Sequence, residues 1–168
     1  MANLIGALEE GGKIIYLRHS STDGKTYKDQ AQAKMGDCET QRSLGEKGWK
    51  ESFVIQQGLA NVPVGAVYSS EYCRAWQTAQ LTFGFYELDS RLTAMSEAPS
   101  EDEKNQRKAE ATPLFSTQPT DGSNTVLVGH SDVIQLMTGE KPPQGGAVVI
   151  EPTGDSYTVL GTITVEDY

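Results

Sequence analysis

Short apolar runs and segments of helical periodicity alternate along this chain. Residues 13–17, "KIIYL", are apolar after the lysine, rich in β-branched positions and preceded by Gly11 and Gly12, the pattern of a buried strand. Over residues 43–60, Trp49, Phe53, Ile55 and Leu59 recur at roughly helical spacing and predict a helix whose ends are blurred by Gly45, Gly48 and Gly58. "VGAVYSS" (64–70) predicts a second strand, "RAWQTAQLTFG" (74–84) a helix closed by Gly84, and "TVLVGH" (125–130) a third strand. Residues 99–111, "PSEDEKNQRKAEA", read as a solvated helix with Pro99 near its start. The end of the chain, "GGAVVIEPTGDSYTVLGTITV", predicts two strands joined by a Pro-Thr-Gly-Asp turn.

Such alternation predicts an α/β fold, a three-layer α/β/α sandwich with a mostly parallel central sheet. With 168 residues, no internal repeat and no linker-like stretch, residues 1–168 are expected to form one domain. Ligands of such sheets bind outside the carboxyl ends of the strands. Three of the expected strands end in chemically loaded residues: "YLRHSST", "VYSSEYCRA" and "LVGHSD". Arg18, His19, Arg74 and His130 therefore converge on one rim.

Composition narrows what that rim meets. Hydrophobic residues are 37% and charged residues 22% of a chain whose formal net charge is -9, a globular composition with no basic stripe for a nucleic-acid backbone. No apolar run approaches the roughly eighteen residues of a membrane span, and "MANLIGALEEGGK" lacks the pattern of a leader. Either histidine taken singly reads as a hydrogen-bonded strand cap. Two histidines and two arginines at equivalent strand ends of an acidic chain instead call for an anion. A phosphoryl group fits, because arginine offers paired planar donors and a neutral imidazole nitrogen can attack phosphorus.

These segments carry a resemblance. "LRHSST" resembles the Leu-Arg-His-Gly-x-Thr signature of the histidine phosphatase superfamily, also called phosphoglycerate mutase-like, with Ser20 at the small-residue position and Thr22 at the hydroxyl. "VYSSEYCRAWQTA" is similar to its Ser-Ser-x-x-x-Arg-Ala-x-x-Thr-Ala segment and "TVLVGHS" to its Val-x-Gly-His-Ser segment, in family order. The resemblance implies a phosphoglycerate mutase-like fold and a phosphatase acting on phosphomonoesters or phosphohistidine, on a small phosphorylated substrate or a phosphoprotein, with no metal or other cofactor. It implies His19 as a transiently phosphorylated nucleophile, with Arg18, Arg74 and His130 holding the phosphoryl oxygens. Thr22 and Ser131 either add hydroxyl contacts or serve as caps, and Ser69 and Ser70 are expected to shape a turn.

"DCETQRSLGEKGW" is similar to a Gln-Arg-x-Leu-x-x-x-Gly stretch in a small-domain bacterial branch, where Arg42 either contacts phosphate or is an exposed arginine near a helix start. In that branch, cysteines resembling Cys38 and Cys73 occur together. A disulfide across the rim would favour a periplasmic or secreted location; two free thiols in a cytoplasmic protein are the alternative. One departure bears on mechanism: where many members carry Leu-x-Glu with a general-acid glutamate, "SRLTAM" places Ala94, and Glu97 is out of register. This weakens a mutase reading and leaves Asp23, Asp37, Glu39, Glu97 and Asp132 as carboxylates that could substitute. A phosphate-binding domain with weak or no turnover is the second reading. A zinc site built from His19, His130 and the cysteines is disfavoured, since neither His-x-x-x-His nor Cys-x-x-Cys occurs.

Overall fold

The alternating pattern is realised, in chain order, as helix α1 (Leu4–Glu9), strand β1 (Ile14–Arg18), α2 (Glu46–Gly58), β2 (Val64–Ser69), α3 (Cys73–Phe83), β3 (Glu87–Leu88), α4 (Glu101–Ser116), β4 (Asn124–Gly129), α5 (Ser131–Thr138), β5 (Ala147–Pro152) and β6 (Tyr157–Ile163). The structure is a computed structural model that describes residues 3–23 and 32–168. The sheet order is β3-β2-β4-β1-β5-β6. From β3 to β1 neighbouring strands are parallel, whereas β5 runs antiparallel to β1 and β6 antiparallel to β5.

β1 has a strand on each side and a core on each face. Ile15 and Leu17 point into a cluster with Leu8 of α1, Ile55 of α2 and Ala75 and Ala79 of α3. Ile14 and Tyr16 point the other way, into a cluster with Ala111 and Phe115 of α4 and Val133 and Ile134 of α5. Helices therefore cover both faces, which is the expected three-layer sandwich. A strand buried on both sides needs a continuous apolar run rather than alternation, and each fully buried aliphatic side chain contributes roughly 1.5–3 kcal/mol. Because β1, β2 and β4 are parallel, their carboxyl ends share one edge, and Arg18, Ser69 and Gly129 are the last residues there.

Several sequence expectations need correction. Helix α2 starts at Glu46, later than expected, and Trp49 and Phe53 are 59% and 60% exposed rather than core-facing. Its buried residues are Gly48, Glu51, Ser52 and Ile55. The reason is a close approach: a Cβ on Gly48 would lie 2.2 Å from the carbonyl oxygen of Ser21. Only glycine lets the helix rest on the loop after β1, and that contact turns the aromatic stripe outward. Helix α4 continues past residue 111 to Ser116, because Ala111, Phe115 and Ser116 are buried, and this offsets the hydrogen bond that Pro113 cannot donate. Helices α1 and α5 are too short for periodicity to reveal them. Gly84 does close α3, at φ 81 in the left-handed region.

The Gly48 contact generates a stability prediction. In an open helix Gly→Ala is stabilising by up to about 1 kcal/mol. Here Gly48→Ala should instead destabilise by about 1–3 kcal/mol, the usual cost of overpacking, measured by urea denaturation. A more stable variant would contradict the close approach.

Candidate active site

His19 is the first residue beyond β1, and its backbone N–H donates to Gly129 O at 3.0 Å, continuing the pairing with β4. Its ring is buried. Arg74 Nε donates to His19 Nε2 at 3.3 Å, so Nε2 carries no proton, and Nδ1–H donates to the Ser20 carbonyl at 2.9 Å. The tautomer therefore turns a lone pair toward Arg74. The loop that presents it is bolted down by buried polar bonds: Ser20 N–H to Thr78 Oγ1 of α3 at 3.0 Å, Ser20 Oγ with Ser52 Oγ of α2 at 2.9 Å, and Ser21 N–H to Glu51 Oε1 at 2.7 Å.

His130 follows β4 and stands edge-on to His19, with ring centroids 5.4 Å apart. Tyr16, from β1, grips its backbone twice, accepting from His130 N–H and donating to His130 O, both at 2.9 Å. His130 Nε2 and Ser70 Oγ are 2.7 Å apart, and the same hydroxyl accepts from Tyr72 N–H at 3.1 Å. Arg74 lies in the first turn of α3 with its guanidinium carbon 4.5 Å from the Tyr72 ring centroid, a cation–π contact. Arg18 donates through one terminal nitrogen to Pro142 O at 3.0 Å. Buried Arg18 Nε and His130 Nδ1 have no hydrogen-bond partner among the described residues.

Arg18, His19, Arg42, Arg74, His130 and Ser131 line one cleft of about 300 Å³, together with Ala94, Met95, Ser96, Glu97, Pro99 and Asp132. The structure thus brings together every sequence-proposed residue except Thr22, whose backbone bridges to Leu44 and which is not among the cleft-lining residues. Ser70 is not merely a turn residue, since it holds His130. Tyr16, Gln41, Glu51 and Tyr72 also escaped the sequence reading, because strand, loop and helix residues far apart in the chain carry no local sign of which backbone groups they meet. Cys38 and Cys73 form a disulfide across 35 residues. Both cysteines are thereby taken up, and among the described residues no group of three or more His, Cys, Asp or Glu side chains is placed to hold a metal ion.

Burial and the crowd of cations set the protonation states. His19 is pushed down to about 3 by desolvation, and then by the charge of Arg74. His130 lies well below the usual histidine value for the same leading reason, with His19 next. Arg74 is lowered to about 10 by burial and then by the charge of Arg42, so it stays cationic at neutral pH. Burial raises the Asp132 carboxyl even though its oxygens accept from Met95 N–H at 2.8 Å and Val133 N–H at 2.7 Å. Two neutral imidazoles among three guanidinium groups form an anion site with an unprotonated nitrogen inside it.

An α/β sandwich with this histidine–arginine cluster on the carboxyl edge of its parallel strands defines the phosphoglycerate mutase-like class. The profile of the histidine phosphatase superfamily, branch 1, matches residues 14–96. Those residues, just under half of the chain, carry the likeness to that superfamily. No curated protein sequence matches it significantly. Among solved structures it is similar to the protein histidine phosphatase SixA complexed with tungstate, at 17% identity and TM-score 0.60, covering 92% of this chain and 98% of that one. It is also similar to a phosphoserine phosphatase from Entamoeba histolytica in complex with 3-phosphoglyceric acid, at 12% identity and TM-score 0.67, covering 92% and 98%. A mycobacterial glucosyl-3-phosphoglycerate phosphatase complexed with VO3 matches at 16% identity and TM-score 0.61, covering 89% and 97%. At these identities the likeness is one of fold.

The lowered histidine values have a pH consequence with a definite sign. In the unfolded chain both rings protonate near pH 6.5, while the folded rings resist, so stability falls as pH drops from about 6.5 toward 3. The ring NMR signals of both histidines should remain in the neutral form down to about pH 5. Between about pH 6.5 and 5 the Tm of His19→Asn should fall less than that of the parent chain. A titration midpoint near 6.5 for either ring would contradict the assigned burial.

Proposed function

We propose that this protein is a metal-independent phosphatase that hydrolyses phosphomonoesters or phosphohistidine through a covalent phosphohistidine on His19. The observation that carries this reading is the unprotonated Nε2 of His19, 3.3 Å from Arg74 Nε, in a cleft that also holds Arg18, Arg42 and His130. In the first step His19 Nε2 bonds to phosphorus as the bond from phosphorus to the leaving oxygen of an ester, or to the leaving nitrogen of phosphohistidine, breaks. The ring, losing its lone pair, becomes cationic, and the Ser20 carbonyl on Nδ1–H stabilises it. In the second step a water oxygen attacks phosphorus, the nitrogen–phosphorus bond breaks, and inorganic phosphate leaves. Arg18 and Arg74 hold the non-bridging oxygens and spread the transition-state charge, and Arg42 adds a contact that binds the phosphoryl group. With the Ser70 hydroxyl donating to His130 Nε2, Nδ1 carries the proton and offers it to another phosphoryl oxygen.

Protonating the leaving oxygen is less well provided for. Ala94 lines the cleft where family members resembling this chain carry a glutamate. Of the five carboxylates that could substitute, Glu97 and Asp132 line the cleft, whereas Asp23, Asp37 and Glu39 do not. The cleft is wide and mostly polar, which supports a small phosphorylated metabolite or a phosphorylated protein side chain as substrate. Ala94 also keeps a second reading open, a phosphate-binding domain without turnover. The Cys38–Cys73 bridge supports a periplasmic or secreted location.

Incubation with a phosphoryl donor should give acid-labile, base-stable phosphate on the wild-type chain and none on His19→Ala. Arg74→Ala and His130→Ala should each lower kcat roughly a hundredfold or more, the loss that follows removal of one preorganised donor. Wild-type turnover in His19→Ala would overturn the nucleophile assignment. Phosphate binding without turnover of an aryl phosphate in chelator would favour the binding domain.

Leaving-group dependence tests the acid. A positioned general acid contributes about a hundredfold to ten-thousandfold, so without one the phosphorylation rate should fall steeply from nitrophenyl phosphate to glycerol phosphate. A flat series would show that an acid acts, and Glu97→Ala and Asp132→Ala would then tell which.

A further inference from the structure

Arg42 reaches the cleft on a segment that the hydrophobic core does not hold. Between residues 32 and 43 the buried residue is Gln41, and the segment's large apolar side chain, Met35, is exposed. Internal bonds shape the segment: Lys34 pairs with Asp37, a short 3-10 helix runs over Cys38–Thr40, and Gln41 Nε2 donates to Lys34 O at 2.8 Å. Among the described residues, its disulfide and hydrogen-bond ties to the body of the protein before Ser43 converge on one residue, Cys73. Cys73 forms the disulfide with Cys38, and its backbone N–H donates to Gln41 Oε1 at 2.8 Å, so that Gln41 caps the first turn of α3. Cys73 is followed directly by Arg74. On this side of Arg42, the two arginines from distant parts of the chain are thus linked through Cys73.

That tether works against a repulsion. Arg42's charge depresses Arg74 and adds to the lowering of Arg18 and His19, so bringing it to the cleft without an anion raises the electrostatic energy of its neighbours. A long side chain on a segment without core contacts would relax toward water. We propose that Gln41 and the Cys38–Cys73 bridge are positioning elements that hold Arg42 in the cleft, and that the site therefore binds phosphoryl groups at full strength only while the bridge is oxidised. The inference rests on the reading of this cleft as a phosphoryl site and adds a redox condition to it.

The reductant is a dithiol. One of its sulfurs attacks the half-buried Cys38 sulfur rather than the fully buried Cys73, the sulfur–sulfur bond breaks, and a mixed disulfide forms. The second thiol displaces Cys38. Two electrons and two protons have then passed to the chain, which ends with two thiols, while the dithiol ends as its disulfide. Arg42 keeps the backbone anchorage beyond it, where Ser43 O accepts from Asp23 N–H and Leu44 bridges to Thr22, so reduction loosens the segment without unfolding the sheet.

The test measures inorganic phosphate binding by calorimetry and 4-nitrophenyl phosphate hydrolysis, before and after dithiothreitol, with free thiols counted. Reduction should weaken phosphate binding by about tenfold or more, the range for losing one charge-assisted contact, raise KM more than it lowers kcat, and be reversed by reoxidation. Cys38→Ser should match the reduced chain and ignore the reductant; Gln41→Ala should raise KM with the bridge intact. Arg42→Ala should bind weakly in both states, with reduction adding nothing, which separates an effect through Arg42 from a general loosening. Phosphate affinity unchanged by reduction, or an Arg42→Ala chain that still weakens on reduction, would overturn the proposal. Redox-dependent phosphate binding without hydrolysis would leave it standing and sink the phosphatase reading instead.

Discussion

One hydrogen bond, from His19 Nδ1 to the carbonyl of Ser20, decides which nitrogen of the imidazole keeps its lone pair. It matters only if that carbonyl cannot move, and much of the surrounding structure serves that end. Thr78, Ser52 and Glu51 each bond the loop that carries Ser20 and Ser21, and Gly48 lets α2 lie against the same loop. These are polar groups in buried positions, where an unmet partner costs far more than in water. Ser20 and Ser21 are therefore tied to both helices that flank them. Behind the loop, β1 is pinned between β4 and β5 and packed on both faces, so the ring stands just past the end of a strand held on every side.

The electrostatic arrangement follows from where that strand ends. Three guanidinium groups gather in the cleft of a chain with a formal net charge of -9, so the field there is a local construction. Burial, reinforced by cationic neighbours, keeps both imidazoles neutral, and a neutral imidazole retains the lone pair that a protonated one lacks. Stability at low pH is the thermodynamic cost of that choice. Arg74 combines two roles in one position: its Nε donates to the unprotonated nitrogen of His19, and Tyr72 beneath it replaces some of the solvation lost on burial.

Much of the fold was legible because its strongest elements are local. "KIIYL", "VGAVYSS" and "TVLVGH" became β1, β2 and β4, and Gly84 ended α3. Helix α2 was legible in position and misleading in orientation: Trp49 and Phe53 carry the hydrophobicity, yet the buried stripe runs through Gly48, Ser52 and Ile55. Hydrophobic spacing cannot reveal that a glycine is buried for closeness rather than for greasiness. Thr22 shows the opposite limit, a hydroxyl in the right motif whose backbone, pairing with Leu44, sets its place outside the cleft lining.

The sequence by itself determined the strand ends at or just beyond which Arg18, His19, Arg74 and His130 appear, and their convergence, because strand direction and α/β alternation are consequences of local pattern. Tertiary structure alone decided the tautomer of His19, the grip of Tyr16 and Ser70 on His130, the joining of Cys38 to Cys73, and the placing of Glu97 and Asp132 on the cleft beside Ala94. Each of these depends on distances between residues tens of positions apart in the chain. Such distances are set by how helices pack on a sheet and which buried polar groups must find partners, and no local spacing of residue types encodes them.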